Sequence, residues 1–490
     1  MDHVSVHPLW SSLAPDRTAG VSLQDQIVSF FRDAIVAGRL QRGRRVPSSR
    51  ELAIEHGISR TTAVESYERL VSEGYLVSLR GAGVFVAESL PEDLQHEAVA
   101  PTARAFVTAG PRTPAAPPPD MRSFQLPLAP WMPAVDRFPW AEWARLTNQI
   151  CREQPLNAIS YGDPQGELPL REAIAEYLGA ARGIVCRREQ IVVMSGTEMT
   201  VGFAAERVAA PGSTVWIEEP TYTFVHTLMP ALGFKSVLVP VDGAGLDVAE
   251  GIRRAPHARL VLAAPSHQYP LGVTMDMTRR IALVEWAHES GAWILENEID
   301  ADYRYISRPL KPLYALARSA RVIYCGSLSK PLAPGLRVNY LVVPESLVGS
   351  CKQSASLTPM LTQLVLARFS ATGRMASHMR KMRVLHAKRR ALLFDALRSE
   401  CAGLLDVDNL PEAGLSVMVP LLVPLRDTRI AAECLAAGIK VDPLSVCYAG
   451  SVAKAGLIIG FASTPEEQIL PTVQALARIL RRALATPGVT

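Results

Sequence analysis

Arg45-Val46-Pro47-Ser48-Ser49-Arg50-Glu51-Leu52-Ala53, Ser59-Arg60-Thr61-Thr62 and Glu73-Gly74-Tyr75-Leu76 follow one another within a short stretch of the 490-residue chain. Ser48 with Glu51 three residues later is a capping box, and it predicts a short helix that stops at Gly57. Ser59 then caps a further helix, whose inward face is expected at Ala63, Val64, Tyr67, Leu70 and Val71 and whose end is Gly74. Upstream, Leu23, Ile27, Phe30, Ala34 and Ile35 recur at helical spacing up to Gly38. Downstream, Tyr75 to Leu79 and Val84 to Val86 read as two strands around Arg80-Gly81-Ala82-Gly83. Three helices, with a glycine turn between the last two, and then a hairpin describe a winged helix-turn-helix.

The charge of this head has a direction. Arg39, Arg42, Arg44, Arg45 and Arg50 fall in a stretch with no acidic residue. The third helix opens with a guanidinium and hydroxyls, at the end where free amides and the helix dipole favour phosphate. In a helix-turn-helix those residues reach base edges, so Arg60 is placed to read a guanine and Thr61 and Thr62 to touch phosphate or a thymine methyl. A solvated basic face is the plainer alternative for the arginine run alone. The motifs together resemble the GntR-type winged helix over nearly all of residues 21 to 87. The resemblance implies DNA contacts at Arg45, Arg50, Ser59, Arg60, Thr61 and Thr62, with Gly81 and Gly83 shaping the wing.

Beyond the head, composition changes. Residues 89–124 hold Pro91, Pro101, Pro111, Pro114 and Pro117-Pro118-Pro119 with few large apolar side chains, which predicts a proline-rich tether. The expected organisation is a head over 1–88, this linker, and a body over 125–490 that splits near 345. In the body, short apolar runs (Ile191 to Met194, Val215 to Ile217, Leu260 to Leu262, Ala292 to Leu295, Val322 to Tyr324) alternate with helical stretches such as Met277 to His288. That alternation predicts an α/β body with a mostly parallel sheet covered on both faces.

Whole-chain arithmetic excludes other classes. With 48% hydrophobic and 20% charged residues the chain is globular, and its net charge of +4 does not suit a protein that coats polyanions along its whole surface. Seven cysteines, an odd number with no C-x-x-C pair, argue against a disulfide framework or a cysteine zinc site. No apolar run reaches membrane-spanning length and no signal pattern opens the chain, so a cytoplasmic protein without a membrane partner or bound metal is expected.

The body carries an ordered series of motifs. They are Tyr161-Gly162-Asp163-Pro164-Gln165-Gly166, Ser195-Gly196-Thr197-Glu198, Pro220-Thr221-Tyr222, Pro265 to Gly272, and Ser327-Leu328-Ser329-Lys330 with Arg337. In this order they resemble the pyridoxal-phosphate (PLP) enzymes of the class I and II aminotransferase fold, fold type I. With the head attached, the chain resembles the MocR family of transcription regulators over essentially its whole length. The resemblance implies that Lys330 bonds the PLP aldehyde and that Arg337, Ser327, Ser329, Gly196 and Thr197 hold its phosphate. It further implies that Tyr222 stacks on the ring and that Tyr161 reaches the phosphate of a partner subunit in a homodimer.

Several positions depart from that pattern. The aspartate that pairs with the ring nitrogen falls on Asn297, and the tyrosine that bonds the ring hydroxyl falls on Ile299. Strand alternation keeps Glu298 from taking the aspartate's place. The substrate-carboxylate arginine precedes a Leu-[Gly/Ser]-Phe segment; here the stretch is Leu457-Ile458-Ile459-Gly460-Phe461, with isoleucine in that place, and Phe224 follows Tyr222 where some relatives carry an arginine. Arg426 and Arg429 are expected at the surface rather than as substitutes. Asparagine leaves the ring nitrogen without a charged partner and weakens the ring as an electron sink. The expected function is a DNA-binding transcription regulator whose body dimerises and senses PLP, a PLP-amine adduct or another small ligand. An active aminotransferase with a DNA-binding head, or a body that has lost PLP and serves for dimerisation, are the alternatives.

Overall fold

The computed structural model describes residues 13–18, 20–79, 81–88, 90, 121–299, 301–305, 311–317, 321–352, 358–408, 410–411, 413–450 and 453–485. The prolines expected in the tether, together with Arg80, lie outside the described residues. The chain separates into two compact units divided at 117/118.

In the first unit, helices α1 (Leu23–Val36), α2 (Ser49–Glu55) and α3 (Arg60–Ser72) precede strands β1 (Leu76–Leu79) and β2 (Gly83–Val86). Both bonds of the Ser48/Glu51 capping box form, and α2 gives way to α3 through Gly57 at φ +61°. The hairpin is antiparallel, with Leu79 opposite Gly83. Ile27, Phe31, Leu52, Ala63, Tyr67 and Leu70 form the centre of the core. Two expectations shift by a residue or a face. Phe31, not Phe30, is fully buried and meets Tyr67 edge to face at 5.4 Å. Val71 is 37% exposed, because the inward stripe of α3 runs through Ala63, Ser66, Tyr67 and Leu70. Burying Phe31 contributes roughly 1.5–3 kcal/mol.

The second unit is built on an eight-stranded sheet among the described residues, ordered β3 (Ile191–Ser195), β10 (Val338–Val342), β9 (Val322–Ser327), β8 (Trp293–Asn297), β7 (Leu260–Ala263), β4 (Thr214–Glu219), β5 (Lys235–Asp242) and β6 (Gly245–Leu246). The five expected strands are present. The sheet is mixed rather than wholly parallel: β10 runs antiparallel to both β3 and β9, and the short β6 is antiparallel to β5. Its central strands are buried along their length, which is why they read as unbroken apolar runs. Trp216 and Trp286 stack at 3.8 Å to seal one face of the sheet.

A smaller sheet, β11 (Ser416–Pro420), β13 (Gly456–Gly460) and β12 (Asp442–Pro443), pairs antiparallel throughout. Helices Arg374–Glu400 and Glu466–Ala485 pack with it through Leu393, Leu397, Val473 and Leu476. The fully buried Arg389 pins these helices, donating to Asp136 (2.8 Å), Glu466 (3.1 Å) and the Ala462 carbonyl (2.7 Å).

The topology decides where a site can form. Strands β3, β9, β8, β7 and β4 all run one way, so their carboxyl ends share one edge of the sheet, where α/β folds place ligands. Since β10 is reversed, the residue before it, Arg337, reaches that edge too.

Candidate functional site

A cavity of about 460 Å³ opens at this edge. Each strand delivers a segment to it: Thr197 follows β3, Tyr222 follows β4, Tyr269 follows β7, Ile299 follows β8 and Lys330 follows β9. Arg337, Phe224 and Phe124 also line it, and the smaller sheet contributes Asp442, Pro443, Val446 and Cys447, with Lys440 beside them.

Three aromatic rings form one wall. Tyr222 stacks on Tyr269 at 4.1 Å, and Trp131 lies 3.9 Å from Tyr269 and 5.4 Å from Tyr222. Lys330 Nζ sits 4.8 Å from the centre of the Trp131 ring, in cation–π range. Trp131 itself holds φ +71°, a strained value for a tryptophan. Burial raises the Tyr269 hydroxyl far above its ordinary range and pushes the Cys447 thiol, 3.5 Å away, up to about 12. Both are neutral near pH 7.

The opposite corner is built for an anion. Gly196, at φ +76°, opens helix Thr197–Val208, and the Arg337 guanidinium lies across it. A Cβ on Gly196 would come 2.2 Å from Arg337 Nη2, so the close approach requires glycine. The helix N-terminus adds its amides and dipole. These residues therefore fit a phosphate, and the aromatic wall fits a planar ring.

Several expected cofactor residues act behind this surface. Ser327 Oγ accepts from the amides of Ser329 (3.1 Å) and Lys330 (3.2 Å), and Ser329 Oγ accepts from the Val338 amide at 2.6 Å. Both hydroxyls are buried and fix the turn that aims Lys330, rather than lining the cavity. Asn339, absent from the motifs, joins the two halves: Ser327 Oγ lies 2.8 Å from one end of its amide and Thr197 Oγ1 3.3 Å from the other. Tyr161 is fully exposed in the chain and away from the cavity.

The departures are visible in three dimensions. Asn297 ends β8, and its side-chain oxygen accepts from the Ile299 amide at 3.4 Å. Glu298 faces the other way, ion-paired with buried Arg182 at 2.9 Å and accepting from the Ser266 amide at 3.0 Å. Ile458 is buried against Tyr269 and Cys447. Arg429 pairs with Glu433 on its own helix at 2.9 Å, and Arg426 precedes that helix; neither lines the cavity.

Sequence motifs also miss Trp131, Lys440 and Asp442, which line the cavity from far apart in the chain. Pro127, Pro130 and Pro133 around Trp131 signal a fixed backbone, but nothing in them points to a ligand.

In the head, Arg60 and Thr61 stand exposed at the start of α3, with Thr62 half-buried. Ser59 Oγ accepts from the Thr62 amide at 2.9 Å, and the first turn has no acidic residue. Arg45 and Arg50 are exposed as well. Arg45 bridges to Phe85 in the wing, and its guanidinium passes 2.9 Å from where a Cβ on Gly83 would lie. Gly81 and Gly83, at φ +80° and +112°, give the wing its turn. Arg69, farther along α3, is neutralised by Asp25 and Glu73, so the unbalanced charge is at the N-terminal end.

Comparison with known proteins agrees with both units. The chain matches the family of bacterial regulatory proteins of the gntR type over residues 23–86 and aminotransferase class I and II over 136–476. It is 33% identical, over 92% of each chain, to the probable rhizopine catabolism regulatory protein MocR of Rhizobium meliloti. It is 29% identical, over 91% of this chain and 94% of the other, to the pyridoxine biosynthesis transcriptional regulator PdxR of Corynebacterium glutamicum. Among solved structures it resembles the α-aminoadipate aminotransferase LysN of Thermus thermophilus, with 26% identity, a TM-score of 0.66, and coverage of 74% of this chain and 93% of that one. A winged helix that presents cations at its recognition helix, joined to an aminotransferase sheet with an anion corner at its carboxyl edge, places this chain in the MocR family of transcription regulators.

Proposed function

We propose that the body is a PLP-dependent sensor that controls operator binding by the head, and that the chain works as a homodimer. Lys330 is the residue that would bond the cofactor aldehyde, Arg337 with the amides after Gly196 would hold its phosphate, and Tyr222 would cover its ring. PLP, when bound, supplies an aldehyde that captures amines and a ring that withdraws electrons. The observation that carries the sensor reading is the fate of the acid beside Asn297. Glu298 is committed to Arg182 and the Ser266 amide, so the ring-nitrogen position is left to a neutral amide. Binding is retained while proton removal from a bound amino acid loses its electrostatic support. Tyr161, exposed in the single chain, suits a residue that completes a neighbouring subunit. Regulation requires the ligand to favour one arrangement of the two heads over another.

The test is an absorbance spectrum of purified protein titrated with PLP, beside Lys330→Ala. A visible band that requires Lys330 is expected. A folded, DNA-binding protein that shows no band would remove PLP from the reading, and steady turnover of an amino donor would make the body an enzyme.

A further inference from the structure

The cavity wall supplied by the smaller sheet has a charge pattern that regulation by PLP alone leaves unused. Pro443, Val446 and Cys447 form the apolar part of this wall, and Ile458 in β13 is buried with Tyr269 and Cys447. Directly opposite Ile458 in the strand pairing stands Asp442, which lines the cavity. Its carboxylate accepts from Trp131 Nε1 at 3.3 Å and is 2.7 Å from Lys440 Nζ. The indole bond and the ion pair hold the carboxylate in place, with the side chains of Asp442 and Lys440 only 21% and 14% exposed.

The balance of charge follows from the lining residues: Lys330, Arg337 and Lys440 are cationic, Glu198 and Asp442 anionic. With a phosphate on Arg337 and Lys330 engaged by the cofactor, the charged lining residues left are Glu198, Asp442 and Lys440. Lys440 is already bound to Asp442. A ligand carboxylate entering there would sit beside like charge in a partly desolvated site, whereas an ammonium or hydroxyl could donate to Asp442 and lie against the face of Trp131.

We infer that the small molecule sensed beside PLP is an organic amine without a carboxylate, whose far end carries an ammonium or hydroxyl group directed to Asp442. This rests on the reading of the cavity as a PLP site.

The test uses the full chain loaded with PLP and three probes built on a four-carbon chain: 1,4-diaminobutane, 4-amino-1-butanol and 4-aminobutyrate, titrated by calorimetry. The carboxylate probe is expected to bind at least tenfold more weakly than the diamine. Asp442→Asn narrows that gap, and Lys440→Gln, which leaves Asp442 without its counter-ion, widens it. Equal or tighter binding of 4-aminobutyrate, binding of none of the three, or a gap unmoved by Asp442→Asn with PLP still bound overturns the inference alone. PLP uptake is read separately by absorbance in the same samples; its absence removes the PLP reading and this inference with it.

Discussion

The head and the body use cations in opposite ways. In the head, Arg45, Arg50 and Arg60 are exposed, come from one short stretch of chain, and owe their position to local devices: a capping box, an N-cap serine and two wing glycines. In the body, Lys330 and Arg337 sit in a cavity whose other walls come from Phe124 to Cys447, and their placement depends on which strand lies beside which. An exposed cationic surface suits a long polyanion met across a wide face. A lysine and an arginine that converge on one cavity beside a helix N-terminus suit a single small anion. Charge alone does not distinguish the two partners; convergence on a cavity, against spread over an open face, does.

Substitutions can test this contrast, and the largest effect is expected in the cavity. Arg337→Ala should weaken PLP binding by about a hundredfold, since a charge-assisted contact to phosphate is lost, while operator binding by the head without PLP is spared. Equilibrium dialysis of PLP checks the first part and an operator titration without PLP checks the second; loss of both together would break the separation of roles. In the open surface, Arg60→Ala should cost about 1–3 kcal/mol at a specific operator and relax base preference there. An equal loss on every sequence would reduce Arg60 to a phosphate contact.

Smaller effects probe the scaffold behind the site. Asn297→Asp should tighten PLP binding by a few fold, because a carboxylate favours a protonated ring nitrogen; an unchanged dissociation constant would put Asn297 away from the ring. The smallest is expected at Glu218. This carboxyl is buried under the loop that carries Tyr269, accepts from the Ala264 amide at 3.0 Å, and is raised to about 7 by burial. A folded-state value above the unfolded one means stability is fullest below pH about 4.5 and is lost as pH rises to about 7. Glu218→Gln removes that loss, so the Tm difference between variant and wild type should move in the variant's favour across this window and then level off. A difference that does not change with pH would show that Glu218 titrates normally.

Much of the molecule is legible in the order of its residues. The capping box at Ser48, the N-cap at Ser59 and the glycines at 57, 81 and 83 act within a few residues of themselves, so their geometry follows from local sterics and hydrogen bonding. The same locality lets strand alternation place Glu298 on the face away from Asn297, and its pairing with Arg182 agrees. The five apolar strand runs are readable because a strand buried on both faces carries little else. Even so, local reading slips where two faces compete. It selects Phe30 over Phe31 and keeps Val71 inside, because a helix on its own does not specify which of two adjacent apolar residues its neighbours will cover.

Adjacency across the sheet is not written in the chain order. Reversal of β10 brings Arg337 to the edge that holds Gly196, and the Ser327 and Ser329 hydroxyls brace the turn of Lys330. Trp131 meets Asp442 although 311 residues separate them. Propensity, capping and periodicity are short-range, so the residue order alone specifies which elements form and which side chains they carry. Which of those side chains share a cavity is settled at the tertiary level, because strand order and the packing of one sheet against another depend on contacts between segments far apart in the chain.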